Sequence, residues 1–463
     1  MREVDVAVVG GGPAGSSAGR TAAERGADAL VLEKGVPRAD RDTPGPDSTD
    51  AAGMLDYWVD LMDLPEPVPE HVKRRELDGA AFYGPAESCT LRSTGMDADY
   101  PNFGFTFDRA RFDDWLRGLA ENAGAEYRVG DAVRTVDLDP RSGHALELAS
   151  GETVRAEYLV LADGPQRTVT GRVLDRLLPD GAVEKLDATR ANHIAYQEHR
   201  RFPEELFDPS VIEFWWGLIP GHTAYPWVFP NDDTVCRIGL TMPIGIDVDA
   251  VEDREAYPLL RPDDEQVPAG SEYVRRLLER EYPDYDLADF PLVEDRGKRE
   301  GTETYPISST RPIDSPVEAK VAVVGGAMGV TSAFHEGGDH VAVRTGSIAG
   351  RLAAHGTLPA YNAEWRAAIG DEVLRNVTLA EMARGFGPRD WDRTFATASR
   401  LIRGSGWDGW TLGRSVATGW DAFKLVARYR RRKLGLREDY VQITEDDYDY
   451  GHGARSGAAS SAI

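Results

Sequence analysis

The stretch VDVAVVGGGPAGSSAGRTAAERGADALVLEK, residues 4–34, decides the fold. Val4 to Val9 is an unbroken apolar run, the mark of a strand buried on both faces. Glycines at 10, 12 and 15 follow, then the small-residue helix Ser16 to Arg25, then a second apolar strand, Ala29 to Leu32, that ends at Glu33. Strand, glycine turn, helix and strand in that order make a complete β-α-β unit. In such a unit Gly10 permits the tight turn, Gly12 lets the backbone approach a pyrophosphate, and Gly15 allows close helix packing. The helix start offers N–H groups and partial positive charge to phosphates. Glu33, with Lys34 beside it, stands where a ribose diol needs an acceptor. Three spaced glycines alone are a weak signal, but with strand, helix, strand and acid in order they predict a bound dinucleotide.

Three segments further along favour FAD over a nicotinamide. FDRARFD places Arg109 at a helix start, where a cation can reach the pyrophosphate. LVLADG places Asp163 and Gly164 in a turn after a buried strand. VVGGAMGVTSAFHEGGDHVAVRTG gives a strand, a glycine turn through Gly325, Gly326 and Gly329, and a helix that begins near Gly337 and Gly338. A helix start there would aim N–H groups at the flavin N1 and O2 atoms, where negative charge gathers on reduction.

Between about Thr189 and Met242 the pattern changes to alternating aromatic and β-branched residues, which predicts an antiparallel sheet. The fold class is therefore α/β: a Rossmann-like FAD-binding domain with an inserted antiparallel β-sheet substrate domain and a helical C-terminal region. The divisions expected are 1–77, 100–180 and 296–360 for the discontinuous FAD domain, 78–99 and 181–295 for the substrate domain, and 361–440 for the helical region. Residues 37–53 read as a loop, and the acidic, Gly/Ser-rich tail 441–463 as disordered.

The 463 residues carry 78 acids against 53 bases, a formal net charge of -25. Nucleic acid is excluded as a partner by that balance. Acids spread along the chain, with arginine far outnumbering lysine, fit a surface adapted to concentrated salt, where screening relieves self-repulsion. With two cysteines, Cys89 and Cys236, neither a disulfide framework nor a cysteine metal cluster is expected, and no metal site is. A cytoplasmic location follows, with membrane contact peripheral and on the inner face, since no leader and no spanning run is visible.

Over most of residues 1–360 the chain resembles the geranylgeranyl reductase family of FAD-dependent oxidoreductases, in a haloarchaeal form. That family sits in the wider group with the aromatic hydroxylases and the electron-transfer-flavoprotein dehydrogenases. GGGPAG with Glu33, DRARFDDWL, LADG and the turn from Gly325 carry the resemblance. It implies that Gly10, Gly12, Gly15, Glu33, Arg109, Asp163, Gly325, Gly329, Gly337 and Gly338 line FAD, with Val133 touching adenine through its backbone. The chain departs from the family at Gly326, where an aspartate usually binds the ribityl chain, and in the loop between Gly35 and Gly53, which lacks the family's active-site cysteine.

The resemblance also covers a Y-x-W-x-F-P signature on the substrate domain, here Tyr225, Trp227, Phe229 and Pro230. Period-two spacing puts the three aromatics on one strand face, either as a wall for a polyprenyl chain or as plain sheet core. The implied chemistry saturates isoprenoid C=C bonds of lipid precursors by hydride transfer from flavin plus proton delivery. His335, His340 and Tyr225 are the candidate proton donors; structural, hydrogen-bonded histidines are the alternative. Electrons would come from an external donor, a ferredoxin-like protein or NAD(P)H. Other functions on the same scaffold are a flavin monooxygenase, a quinone-linked dehydrogenase, and a prenyl-binding carrier that has lost flavin.

Finally, residues 415–437 gather Arg428, Arg430, Arg431, Arg432, Lys433 and Arg437 beside apolar residues. Such a helix either lies on an anionic membrane or pairs with the protein's own acidic surface.

Overall fold

Strand β1 (Arg2–Val9) forms the centre of a first sheet, and Val6, Ala7 and Val8 are wholly buried there, as a strand covered on both faces requires. The structure, a computed structural model, describes residues 1–36, 53–183, 186, 191–297, 299–404 and 415–450. The strand order is β8 (Glu126–Val129), β2 (Ala29–Glu33), β1, β11 (Thr153–Leu161), β10 (His144–Leu148) and β9 (Val133–Asp137), with β17 (Val321–Val323) also on β11. β8, β2, β1, β11 and β17 run parallel, and β10 pairs antiparallel with both β11 and β9.

Helix α1 (Pro13–Ala23) leads out of β1 and packs against α7 (Asp339–Ala354) and α3 (Arg109–Asn122). Its small residues make this approach close: a Cβ on Gly346 of α7 would lie 2.0 Å from the Ala14 carbonyl oxygen. Two helices meeting at backbone distance fix the starts of α1 and α7 relative to each other.

The second sheet runs β16 (Thr302–Ile307), β12 (His193–Arg201), β15 (Val235–Pro243), β14 (Tyr225–Pro230), β13 (Val211–Trp215), β5 (Gly79–Tyr83) and β6 (Ser88–Leu91). Every pairing is antiparallel except β13 with β5. β16 belongs to this sheet through its register with β12, although the sequence places residues 296–360 with the dinucleotide half. A small third sheet of β3 (Gly53–Leu55), β7 (Gly104–Phe107) and β4 (Lys73–Leu77) joins the two. The remaining helices are α2 (Asp56–Met62), α4 (Thr168–Leu177), α5 (Gly270–Glu281), α6 (Gly325–Met328), α8 (Tyr361–Ala383), α9 (Pro388–Gly404) and α10 (Ser415–Leu436).

The expected disordered tail needs correction over its first part. Val441, Ile443 and Tyr448 are buried in the main core, the Gln442 amide donates to the Pro312 carbonyl at 2.8 Å, and the Tyr448 hydroxyl donates to the Asp314 carbonyl at 2.5 Å. Three apolar anchors and paired backbone outweigh the acidic composition around them. Residues 451–463, and the loop 37–52 with its missing cysteine, lie outside the described residues.

Candidate active site

A cavity of about 790 Å³ is lined by strands of the second sheet and by the loops that leave the first sheet after β2 and β11. Gly12, Pro13 and Ala14 at the start of α1 border it, and so do Gly337, Gly338 and Asp339 at the start of α7. No side chain caps either helix, so the first-turn N–H groups of both are left to whatever fills the cavity.

The three motif glycines divide their work. Gly10 has φ +103° and a Cβ there would lie 2.3 Å from the Ala162 carbonyl oxygen; on Gly15 it would lie 1.8 Å from the Gly10 carbonyl oxygen. Both shape the turn and do not line the cavity. A Cβ on Gly12 would meet nothing within 4 Å, so the open space lies over that residue. The Glu33 carboxylate accepts from the Gly11 and Gly35 amides, each at 2.7 Å, and keeps lone pairs for a further donor. Lys34 lines the cavity.

Asp163 and Gly164 line the cavity, but the Asp163 carboxylate is committed: it accepts from the Val169 amide at 2.6 Å, the Thr170 amide at 3.2 Å and the Thr170 hydroxyl. It anchors the start of α4 to the turn. Arg109, the first residue of α3, pairs with Asp113 at 2.8 Å and with Asp339 at 2.9 Å, tying the starts of α3 and α7 together at the cavity edge. Burial, offset in part by Arg109, raises Asp113 to about 6. Gly326 lines the cavity; Gly325 and Gly329, both at positive φ, shape the turn around α6 beneath it. Val133 is buried in the first-sheet core at the start of β9 and does not line the cavity.

Tyr225, Trp227 and Phe229 are 4, 3 and 6% exposed, and all three line the cavity from β14. Trp216 stacks on Tyr225 at 4.4 Å and on Phe334 at 4.9 Å, extending the apolar wall. The rings are at once core and cavity lining. Pro230 stands apart from the cavity, with its carbonyl accepting from the Thr106 hydroxyl at 2.8 Å.

The two histidines separate. His335 lines the cavity, yet its Nδ1 accepts from the Gly337 amide at 3.2 Å, its ring stacks on Trp58 at 4.9 Å, and burial lowers it to about 3. His340 does not line it: the ring stacks flat on Trp58 at 4.2 Å with Nε2 3.8 Å from Glu372. Burial would raise Glu372, but His340 and Arg375 bring it down to about 2. The Tyr225 hydroxyl donates to the His335 carbonyl at 2.6 Å, and burial raises it well above the phenol range.

Sequence reasoning passed over Glu336, between His335 and Gly337. It lines the cavity, its side chain is 3% exposed, and it accepts from the Thr241 hydroxyl. Its charge does not distinguish it in so acidic a sequence; only the folded surroundings do. Among the described residues no three His, Cys, Asp or Glu side chains gather as a metal-ligand set, and no helix is long and apolar enough to cross a membrane.

FAD fits these residues. Two uncapped helix starts open on one space that the bare Gly12 backbone leaves free, and at Gly326 a Cβ would find only ordinary contacts, 3.4 Å from Pro165, so nothing intrudes. Fold and site define a Rossmann-type FAD-binding protein. Residues 3–174 match the FAD binding domain family. The chain is similar to the digeranylgeranylglycerophospholipid reductase of Methanothrix thermoacetophila, 28% identical over 397 residues, covering 81% of this chain and 86% of that one. It is also similar to the menaquinone reductase of Mycobacterium tuberculosis, 29% identical over 239 residues, covering 51% and 54%. Its fold matches a geranylgeranyl bacteriochlorophyll reductase-like protein from Thermoplasma acidophilum with a TM-score of 0.65 at 22% identity, covering 95% of this chain and 100% of that structure.

Proposed function

We propose that the protein is an FAD-dependent oxidoreductase that saturates isoprenoid C=C bonds, those of geranylgeranyl groups on membrane-lipid precursors. The observation that carries this is the sharing of one cavity by the α1 start, the α7 start and the aromatic wall of β14. The amides at Gly12 and Ala14, with Lys34 and Arg109, hold the pyrophosphate end; Glu33 takes the ribose; Gly337 and Gly338 face the flavin ring. Bound FAD supplies hydride chemistry. Tyr225, Trp227 and Phe229 position a polyprenyl chain and keep water away, which an unactivated alkene needs.

The electron donor is external, a ferredoxin-like protein or NAD(P)H. Contact with the membrane is peripheral, through residues 415–437. Arg432 pairs with Glu381 at 2.8 Å and Lys433 with Asp371 at 2.6 Å, while Arg430, Arg431 and Arg437 are exposed and face outward to anionic headgroups. The side chains of Trp420 and Phe423 lie outside the described residues.

Anaerobic incubation of the dithionite-reduced holoprotein with a digeranylgeranyl lipid tests the activity. Mass spectrometry should show added hydrogen pairs; an unchanged lipid, or an oxygen-dependent hydroxylated product, counts against it.

A further inference from the structure

Three carboxyl groups line the cavity, and two have partners that hold them. Asp163 anchors α4 and Asp339 pairs with Arg109. Glu336 differs. One of its oxygens accepts from Thr241 of β15, and Oε1 is buried with no hydrogen-bond partner. No cation faces it. His193 of β12 comes within 3.6 Å but spends that nitrogen on Thr223 at 3.0 Å, and burial keeps it neutral. Tyr225 of β14 has committed its hydroxyl to the His335 carbonyl, and Tyr305 of β16 also lines the cavity. A buried acid with one free oxygen and no counter-ion is most stable with its proton on. Burial accordingly pushes Glu336 up to about 8. Its backbone is held at φ +59°, a left-handed conformation that non-glycine residues adopt mainly where surrounding structure imposes it, as at functional sites.

We infer that Glu336 delivers the proton to the second alkene carbon in the reduction. The inference rests on the reductase function proposed above. Two electrons and one hydrogen arrive at one carbon as hydride from a reduced dihydroflavin. The π pair of the C=C forms the second C–H bond with the Glu336 proton, and the O–H bond of Glu336 breaks. The resulting carboxylate stays hydrogen-bonded to the Thr241 hydroxyl and recovers its proton from water. His335 and Tyr225 are weaker donors: a neutral imidazole and a phenol raised by burial both hold their protons more tightly than a carboxylic acid.

Glu336→Gln keeps shape and hydrogen bonding but removes the transferable proton. In holoenzyme reduced with dithionite, we expect reduction of a digeranylgeranyl lipid to fall roughly a hundredfold or more, with FAD content and visible spectrum unchanged. A second readout needs no turnover. Infrared difference spectra of the wild type should show a protonated carboxyl band at pH 7 that bleaches as pH rises through about 8 and is missing in the variant. Turnover by Glu336→Gln within threefold of an active wild type overturns the inference and leaves the reductase reading standing, as does absence of the band. A wild type that leaves the lipid unsaturated overturns both.

Discussion

The Tyr225 hydroxyl donates to the main-chain carbonyl of His335 at 2.6 Å, joining the aromatic strand to the loop that starts α7. Through that bond the aromatic wall of the cavity and the start of α7 share one frame. Neighbouring Glu336 is bound in turn to Thr241 on β15, so the loop is pinned at successive residues to adjacent strands of the second sheet. Positions on either side of this seam should respond differently to substitution.

Gly326→Asp should tighten FAD. A Cβ at Gly326 would lie in ordinary contact, 3.4 Å from Pro165, and the added carboxylate can accept from the ribityl hydroxyls. A charge-assisted hydrogen bond of about 1.5 to 3 kcal/mol corresponds to roughly a ten- to hundredfold lower Kd. Fluorescence titration of apoprotein with FAD measures this, and an unchanged or higher Kd would place the ribityl chain elsewhere.

Leu91→Trp should impair the substrate without touching the cofactor. Leu91 lines the cavity from β6, an edge strand of the second sheet, where an indole would occupy the space proposed for the lipid. Overpacking of about 1 to 3 kcal/mol would raise KM for a long-chain lipid roughly five- to 150-fold with FAD content unchanged. Loss of FAD at normal lipid affinity would reverse the assignment of the two ends.

Stability should peak near pH 6.5. Burial raises Glu336 to about 8 and Glu213 to about 7, so above about pH 4.5 the unfolded chain ionises carboxyls that the fold keeps protonated; this contribution declines up to about pH 8 and is the larger one above about pH 6.5. In the other direction, burial lowers His144 and His193 to about 4 and His199 and His335 to about 3. Below about pH 6.5 the unfolded histidines take up protons that the folded ones refuse, and stability is lost as pH falls. Thermal midpoints across pH check both limbs; Glu336→Gln should flatten the alkaline one, and a midpoint still rising past pH 8 would contradict the burial of these acids.

The net charge of -25 should make stability depend on salt. Screening shortens the reach of surface repulsion to about 8 Å at physiological ionic strength and to about 3 Å at 1 M. The unfolding midpoint should therefore climb from low to multimolar KCl; a flat or falling curve would remove the salt-adapted reading.

What was legible in the sequence was local. Gly10, Gly12 and Gly15 between two apolar strands, the α7 start at Gly338 and the alternation through Tyr225, Trp227 and Phe229 each depend on residues close along the chain. β16 was misplaced because its membership depends on pairing with β12, more than a hundred residues earlier in sequence. Val441, Ile443 and Tyr448 went unseen because three anchors in an acidic run carry no periodicity. Glu336 was hidden for the same kind of reason: its surroundings come from β12, β14 and β15, and the histidines beside it carry the more familiar chemistry.

The most direct test is an experimental structure of the holoprotein. It should show one FAD with its pyrophosphate over Gly12 and Ala14 and its pyrimidine edge at Gly337 and Gly338, the ring facing Tyr225 and Trp227. An FAD that contacts only one of the two helix starts, or whose ring points away from β14, would contradict the account.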